Sequence, residues 1–293
     1  MQCYLCGSNS STVREGRVRD NSELKVLECS DCGLVYLDST EHIKEEFYEQ
    51  SNHHKTDLKN DKLIKIEDWL KETESDDQRR FEMLKNTLIN KTVLDFGCGA
   101  GGFLKKSKEI ASKVYGIELE QRVREYWGKE ISIYKNLNSL KNKSDLKEHP
   151  IDVITSFHVI EHLKDPLNML LEFKEIVKQD GFIILEVPNS NDALLTMYES
   201  KKFQEFSYWS QHLYLFNSET MKLLAKKAGL QLISLKHIQR YPLSNHLFWL
   251  SKGKPGGHQK WEFLDSIELN AAYENALSKI GLTDTIIAFL KPL

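Results

Sequence analysis

Apolar and polar positions follow two different periods along this chain, and the change falls near residue 91. Over residues 41–92 the chain is charged. Leu63, Ile66, Leu70, Phe81, Leu84 and Leu88 recur there at steps of three and four, the spacing of one helix face. The polar stretch Glu72–Asp77 interrupts that stripe and predicts a mobile joint between two helical pieces. From Lys91 short apolar runs alternate with helical stretches. The runs predict strands at Thr92–Phe96, Lys113–Glu118, Ile131–Tyr134, Asp152–Phe157 and Gly181–Pro188. Helices are expected between them, at Phe103–Ile110 and Pro166–Val177, with Lys178-Gln179-Asp180-Gly181 as a turn. Asn217 suits the N-cap of a further helix, Ser218–Ala228, that stops at Gly229. This alternation predicts an α/β fold: a Rossmann-like, doubly wound, mostly parallel sheet. Residues 1–40 carry short β-like pieces, Lys25–Glu28 and Leu34–Leu37. Past residue 236 the pattern is harder to read, and Ser251–His258 is a glycine-rich loop between apolar segments.

Bulk properties narrow the classes. A chain of 293 residues holds one α/β domain with small additions. Hydrophobic content of 40% and charged content of 28% are those of a soluble globular protein. A net charge of −3 and a pI near 6.4 give no global basic field, which weighs against nucleic acid as partner. Apolar runs such as Phe182–Leu185 are strand-sized, so no membrane span is expected. Met1–Cys6 lacks a basic region followed by an apolar core, so no secretory signal is read there. The expected compartment is the cytoplasm, where clustered cysteines more often bind metal than pair as disulfides.

Four of the five cysteines fall in two matched pieces, Cys3-x-x-Cys6-Gly7 and Cys29-x-x-Cys32-Gly33. Each pair can reach one ion, and the glycine after it permits a tight turn that faces backbone amides toward the thiolates. Cys3, Cys6, Cys29 and Cys32 together make a closed tetrahedral set, so the expected ion is a structural Zn2+. The segment resembles a zinc ribbon. Zinc ribbons serve many roles, so the resemblance implies no substrate.

Val93–Gly102 places Gly97-x-Gly99-x-x-Gly102 directly after a predicted strand and at the start of a helix, the context a nucleoside-cofactor turn requires. Asp95, two residues before the first glycine, would repel a pyrophosphate but can hold an ammonium. That disfavours an NAD(P) oxidoreductase and favours S-adenosylmethionine (SAM). Glu118 ends the next strand, where a carboxylate can accept both ribose hydroxyls. Together with Phe157-His158-Val159-Ile160-Glu161-His162, these residues resemble a class I SAM-dependent methyltransferase over roughly residues 80–235. The resemblance implies cofactor contacts from Asp95, Gly97, Cys98, Gly99, Gly101, Phe103, Glu118, Phe157 and His158. Many relatives carry an aspartate for the adenine after the third strand. Here Tyr134–Leu140 has no carboxylate, and Asn136 or a backbone group could substitute.

Transfer from a sulfonium to a hydroxyl needs alignment and removal of one proton. Histidine suits that task at neutral pH. His212 and His158 are the candidate catalytic residues, with His162 expected to be structural. The segment Phe206–Phe216 resembles one in sugar-nucleotide methyltransferases that join a four-cysteine zinc module to a SAM domain, where a Glu-His pair is catalytic. Gln211 stands here in place of that glutamate. The aromatics Phe203, Phe206, Tyr208, Trp209, Tyr214 and Phe216 read either as an acceptor wall or as core. The implied organisation is a zinc ribbon (1–40), a helical linker or lid (41–90), a SAM-binding core (91–235) and a C-terminal extension on the substrate side (236–293). The expected reaction is methylation of a small-molecule hydroxyl on a nucleotide-linked or polysaccharide sugar. An RNA methyltransferase with a zinc module and a non-catalytic, zinc-stabilised SAM-binding or interaction protein are the alternatives.

Overall fold

Nearly continuous apolar runs such as Thr92-Val93-Leu94-Asp95-Phe96 have no polar face to give to water, so they form strands covered on both sides. The computed structural model describes residues 2–43, 49, 55–57, 62–142, 146 and 149–293. Its strands are β1 (Ser11–Val13), β2 (Val26–Cys29), β3 (Val35–Leu37), β4 (Lys55–Asp57), β5 (Lys62–Leu63), β6 (Thr92–Phe96), β7 (Lys113–Ile117), β8 (Ser132–Tyr134), β9 (Ile151–Phe157), β10 (Val177–Pro188), β11 (Tyr214–Leu215), β12 (Leu230–Ile238) and β13 (Thr285–Pro292). The principal helices are α1 (Ile66–Leu88), α2 (Gly102–Ser107), α3 (Gln121–Trp127), α4 (Leu137–Lys141), α5 (Pro166–Ile176), α6 (Lys201–Ser207), α7 (Ser218–Lys227), α8 (Leu243–Lys252) and, after one short turn of α-helix, α9 (Ile267–Lys279).

The chain folds as two compact units. One comprises Met1–Thr40, Ile160–Asn168 and Leu185–Leu290; the other comprises Glu41–Val159, Met169–Ile184 and Lys291–Leu293. The second unit carries the strand order β10-β9-β6-β7-β8. β6 pairs in parallel with β7 on one side and with β9 on the other, and β7 pairs in parallel with β8. The chain therefore winds outward through β6, β7 and β8, then returns to β9 on the far side of β6. The carboxyl ends of β6 and β9 flank this switch of direction, where open α/β sheets bind ligands. Val93, Leu94, Val153 and Ile154 are buried there, as the all-apolar runs require. The first unit holds a small antiparallel sheet, β1-β2-β3-β11, and the order β12-β13-β10. This is the Rossmann-like α/β fold with a mostly parallel central sheet that the alternation predicts.

Several local expectations are corrected. Glu72–Asp77 is no joint: α1 runs unbroken from Ile66 to Leu88. Thr73 explains this, donating its hydroxyl to the Trp69 carbonyl at 3.3 Å and to Asp77 at 2.8 Å, so the polar residues are held against the helix. The helical reading of 41–92 fails at β4 and β5, which pair antiparallel; part of that stretch lies outside the described residues. α2 stops at Ser107 rather than Ile110. Ser107 Oγ donates back to the Phe103 carbonyl, and Glu109 and Ile110 shift to tighter three-residue bonding. Lys178–Gly181 is strand rather than turn, pinned by Lys178 Nζ on Asp152 at 2.6 Å. α7 begins as expected. Asn217 accepts from the Glu219 and Thr220 amides, and Gly229 beyond its end has φ +65°.

Candidate functional site

The glycine turn is built by exclusion of side chains. Gly97 has φ +74°, and a Cβ there would lie 2.4 Å from Val159 Cγ2. Gly101 has φ +85°, and its Cβ would lie 2.5 Å from the Trp127 indole nitrogen, which donates to the Ala100 carbonyl at 2.8 Å. The Gly97 and Cys98 amides donate to the Ile117 carbonyl, fastening the turn to the end of β7. Cys98 and Phe103, both expected cofactor contacts, are buried beneath the turn. Phe103 packs edge-on against Phe157 at 5.0 Å. His158 follows β9 with φ +55°, an unfavourable backbone for a non-glycine residue.

Acids dominate the electrostatics around this turn. Asp95 is 2% exposed and accepts the Thr155 hydroxyl at 2.7 Å. Burial pushes its carboxyl up to about 7; the Thr155 hydroxyl and Arg80 oppose the shift, while Asp77 and Glu118 add to it. Glu118 accepts the Gly99 amide at 2.9 Å and the Glu120 amide at 3.0 Å, one on each oxygen, which leaves lone pairs on both. Burial pushes its carboxyl up to about 7 as well, with Glu120 adding to the shift. Asp77 is buried and raised by burial; it stands 3.7 Å from Arg80, whose guanidinium lies over the Phe157 ring at 4.6 Å. Asp77 and Arg80 were not anticipated. The signal was in the sequence: an acid and an arginine share the apolar stripe that carries Phe81 and Leu84.

Buried Asp95 and Asp77, partly buried Glu118 and one guanidinium leave an excess of negative charge. A ligand with an ammonium and a sulfonium fits that deficit, whereas a pyrophosphate does not. The Asn136 side-chain oxygen caps α4 by accepting the Ser139 amide at 2.9 Å. A pH dependence follows. A bound cation favours the ionised form of Asp95, so SAM affinity should rise with pH up to about 7 and level off above. Below 7 it should fall by up to about tenfold per pH unit for each carboxyl that must lose a proton. Folding has the opposite slope. The folded state holds protons on these acids that the unfolded state releases between about 4 and 7, so the ligand-free protein should lose stability as pH rises through that window. Calorimetric titrations and thermal melts from pH 5 to about 8 check both signs.

In the first unit the four cysteines come together as expected. Cys3 Sγ lies 3.7 Å from Cys32 Sγ and Cys6 Sγ lies 3.4 Å from Cys29 Sγ, with all four sulfurs within 4.8 Å of one another. Tetrahedral Zn–S bonds of about 2.3 Å give S···S edges of about 3.8 Å, so the set has the size of such a site. Disulfides would need sulfurs about 2.05 Å apart. Gly7 (φ +79°) and Gly33 (φ +74°) close the two turns by donating to the Cys3 and Cys29 carbonyls, both at 2.9 Å. Burial works against ionisation of Cys29, but the Cys32 and Asp31 amides and the neighbouring thiols outweigh it and bring the thiol down to about 7.

A second cluster in this unit was only half foreseen. His212 stands against His162, ring centroids 4.8 Å apart at 71°, and Trp209 lies edge-on to both. Glu161 is fully buried, with a carboxylate oxygen 3.9 Å from His162 Nε2. Ligand atoms of Glu161, His162 and His212 all lie within 4.8 Å of one another. His162, read from the sequence as structural, thus shares a site with the candidate base. Of the six aromatics read as wall or core, Tyr208, Tyr214 and Phe216 are buried, and Phe206 is 41% exposed. No helix among the described residues is long and apolar enough to cross a membrane.

A Rossmann-like sheet whose switch point carries a glycine turn ringed by buried acids defines a SAM-dependent methyltransferase. Residues 61–235 match the family model described as a methyltransferase domain, and the chain belongs to that family. It is similar to the ubiquinone biosynthesis O-methyltransferase of Hydrogenovibrio crunogenus, 24% identical over 162 residues, covering 52% of this chain and 67% of the relative. The enzyme of that name from Burkholderia pseudomallei is 24% identical over 166 residues, covering 54% and 72%. Among solved structures, a chain from the Haloferax volcanii complex of the Trm112 methyltransferase activator shares 16% identity at a TM-score of 0.50, covering 78% of this chain and 96% of that one. That likeness shows a shared fold.

Proposed function

We propose that this methyltransferase transfers the methyl group of SAM to a hydroxyl of a small-molecule acceptor, with a nucleotide-linked or polysaccharide sugar as the preferred class. The acid cluster of Asp95, Glu118 and Asp77 is the observation that carries the donor side. Bound SAM would supply an electrophilic methyl on a sulfonium, so the chain need only bind, orient and deprotonate. Asp95 would hold the ammonium and Glu118 the ribose hydroxyls. The Gly97–Gly101 turn brings backbone close to the ligand, and Phe157 and His158 would line the methionine portion. Cys98 and Phe103, both buried in this segment, complete the expected cofactor contacts.

His212 would accept the acceptor hydroxyl's proton, with His162 and buried Glu161 beside it to favour the imidazolium that forms. His158 is the second candidate for a substrate contact. Cys3, Cys6, Cys29 and Cys32 would hold a structural Zn2+, a closed site with no position open to substrate. Support for a sugar comes from the pairing of a four-cysteine module with a SAM domain and from the segment around His212. Support for oxygen as the methylated atom comes from the relatives, which are named O-methyltransferases.

A screen of nucleotide sugars and ubiquinone precursors with methyl-labelled SAM tests the acceptor. Label in a nucleotide sugar is the expected result; label confined to ubiquinone precursors would refute the sugar reading. With the acceptor in hand, His212→Ala should lower kcat by about 10²- to 10⁴-fold, the usual share of a general base, and leave SAM affinity unchanged. An unaltered kcat would remove His212 from the reaction.

A further inference from the structure

The residue between the first two cysteines has a task that metal binding does not require. Tyr4 donates its hydroxyl to an Asp165 carboxylate oxygen and accepts the Leu167 amide at 2.8 Å. That same Asp165 oxygen accepts the Asn168 amide at 3.0 Å, so Tyr4 is bound into the N-terminal cap of α5. The segment between Asp165 and the helical turn Ile160–His162, which bears Glu161 and His162, is only Leu163 and Lys164. The Tyr4 ring also lies on the Tyr214 ring, centroids 5.0 Å apart, and the Tyr214 hydroxyl donates to the Lys164 carbonyl at 3.2 Å.

His212 is tied to the same module from its own side. Tyr214 and Leu215 form β11, which pairs antiparallel with β3, and the Leu37 amide donates to the Leu213 carbonyl at 3.1 Å. On the other flank, the Arg19 guanidinium lies 4.6 Å from the centroid of Trp209, and Asp20 accepts the Ser210 amide at 2.9 Å and its hydroxyl at 2.7 Å. The two segments that meet at the His162–His212 contact are far apart in sequence. Both are hung on residues 1–40, and the Tyr4 side chain touches an anchor of each.

We propose that Tyr4 is a positioning residue, through which the four-cysteine module sets the contact between His162 and His212. The consequence for turnover rests on the reading of His212 as the base; the geometric claim does not. A cysteine knuckle is rigid when its thiolates share an ion, so a side chain projecting from it between two ligands has a fixed origin. Tyr4 converts that fixed origin into a fixed position for the Ile160–His162 turn, and through Tyr214 it does the same for the end of the His212 segment.

The test uses the full chain with histidine rings labelled for NMR. In the unsubstituted protein, ring-to-ring cross-peaks between His162 and His212 are expected from their 4.8 Å centroid separation. Tyr4→Phe keeps the ring on Tyr214 and removes only the hydroxyl. It should lose those cross-peaks while retaining one equivalent of zinc and unchanged SAM affinity, which together report an intact fold. Asp165→Ala, placed outside the cysteine module, should give the same loss. Asp165→Asn keeps an acceptor oxygen and should restore the cross-peaks. Unchanged cross-peaks in both Tyr4→Phe and Asp165→Ala would overturn the proposal. The two readings fail separately: His212→Ala with normal turnover removes the base and leaves the Tyr4 result standing, whereas intact cross-peaks in both Tyr4→Phe and Asp165→Ala remove the positioning role and leave the base.

Discussion

Asp95→Asn should weaken SAM binding by about 10- to 150-fold, the range of one buried hydrogen bond to a charged group, and should raise the melting temperature of the ligand-free protein. The two effects have one cause. Asp95 is buried beside Asp77 and Glu118, and its negative charge is unfavourable there until a cation arrives. Asparagine keeps an oxygen for the Thr155 hydroxyl, so the bond at 2.7 Å has a successor and no cavity opens. What disappears is the charge. The empty site is relieved of repulsion, and a gain of about 1–2 kcal/mol would raise the melting temperature by a few degrees in a protein of this size. The bound site loses its partner for the ammonium. A simple packing role for Asp95 predicts the reverse pattern, with stability falling and affinity unchanged, so calorimetry and thermal melts on one variant separate the two.

Replacing any one of Cys3, Cys6, Cys29 or Cys32 by serine should release the metal and melt the β1-β2-β3-β11 sheet. The sheet is small: β1 and β3 have three residues each and β11 has two, so backbone pairing alone supplies little. Cys29 ends β2, so the sheet and the metal site share that residue. Apparent metal-binding free energies of about 10–16 kcal/mol at neutral pH are typical of structural zinc sites, far more than such a sheet gains from burial. A strong chelator should reproduce the serine variants. The expected readout is loss of one equivalent of zinc together with loss of amide-exchange protection over residues 3–37 and 213–215. Retained protection in a metal-free chain would show that the sheet folds without the ion.

The parts of the molecule with strong local rules were the legible ones. The parallel strands announced themselves through runs that leave no face for water, and the glycine turn through a strand directly before it and a helix directly after. The cysteine knuckles carried their own spacing. What escaped was set by tertiary neighbours. Glu72–Asp77 looked like a break because its residues are polar, yet Thr73 and Asp77 bond along the helix and the acid turns inward. The strand start at Val177 was hidden because Lys178 and Asp180 look like turn residues, and the ion pair with Asp152 comes from a strand earlier in sequence. Nothing local links His162 to His212, 50 positions later, so their meeting is not legible in the sequence. That meeting depends on the cysteine module, which no periodicity could connect to either histidine.

The most direct test of the account is calorimetric titration of the purified chain with SAM and with S-adenosylhomocysteine, alongside NAD as control. One molecule of SAM per chain, with affinity that weakens as the pH falls below about 7, and no heat from NAD is the result predicted by the acid-ringed glycine turn. Tight binding of NAD with none of SAM would contradict it.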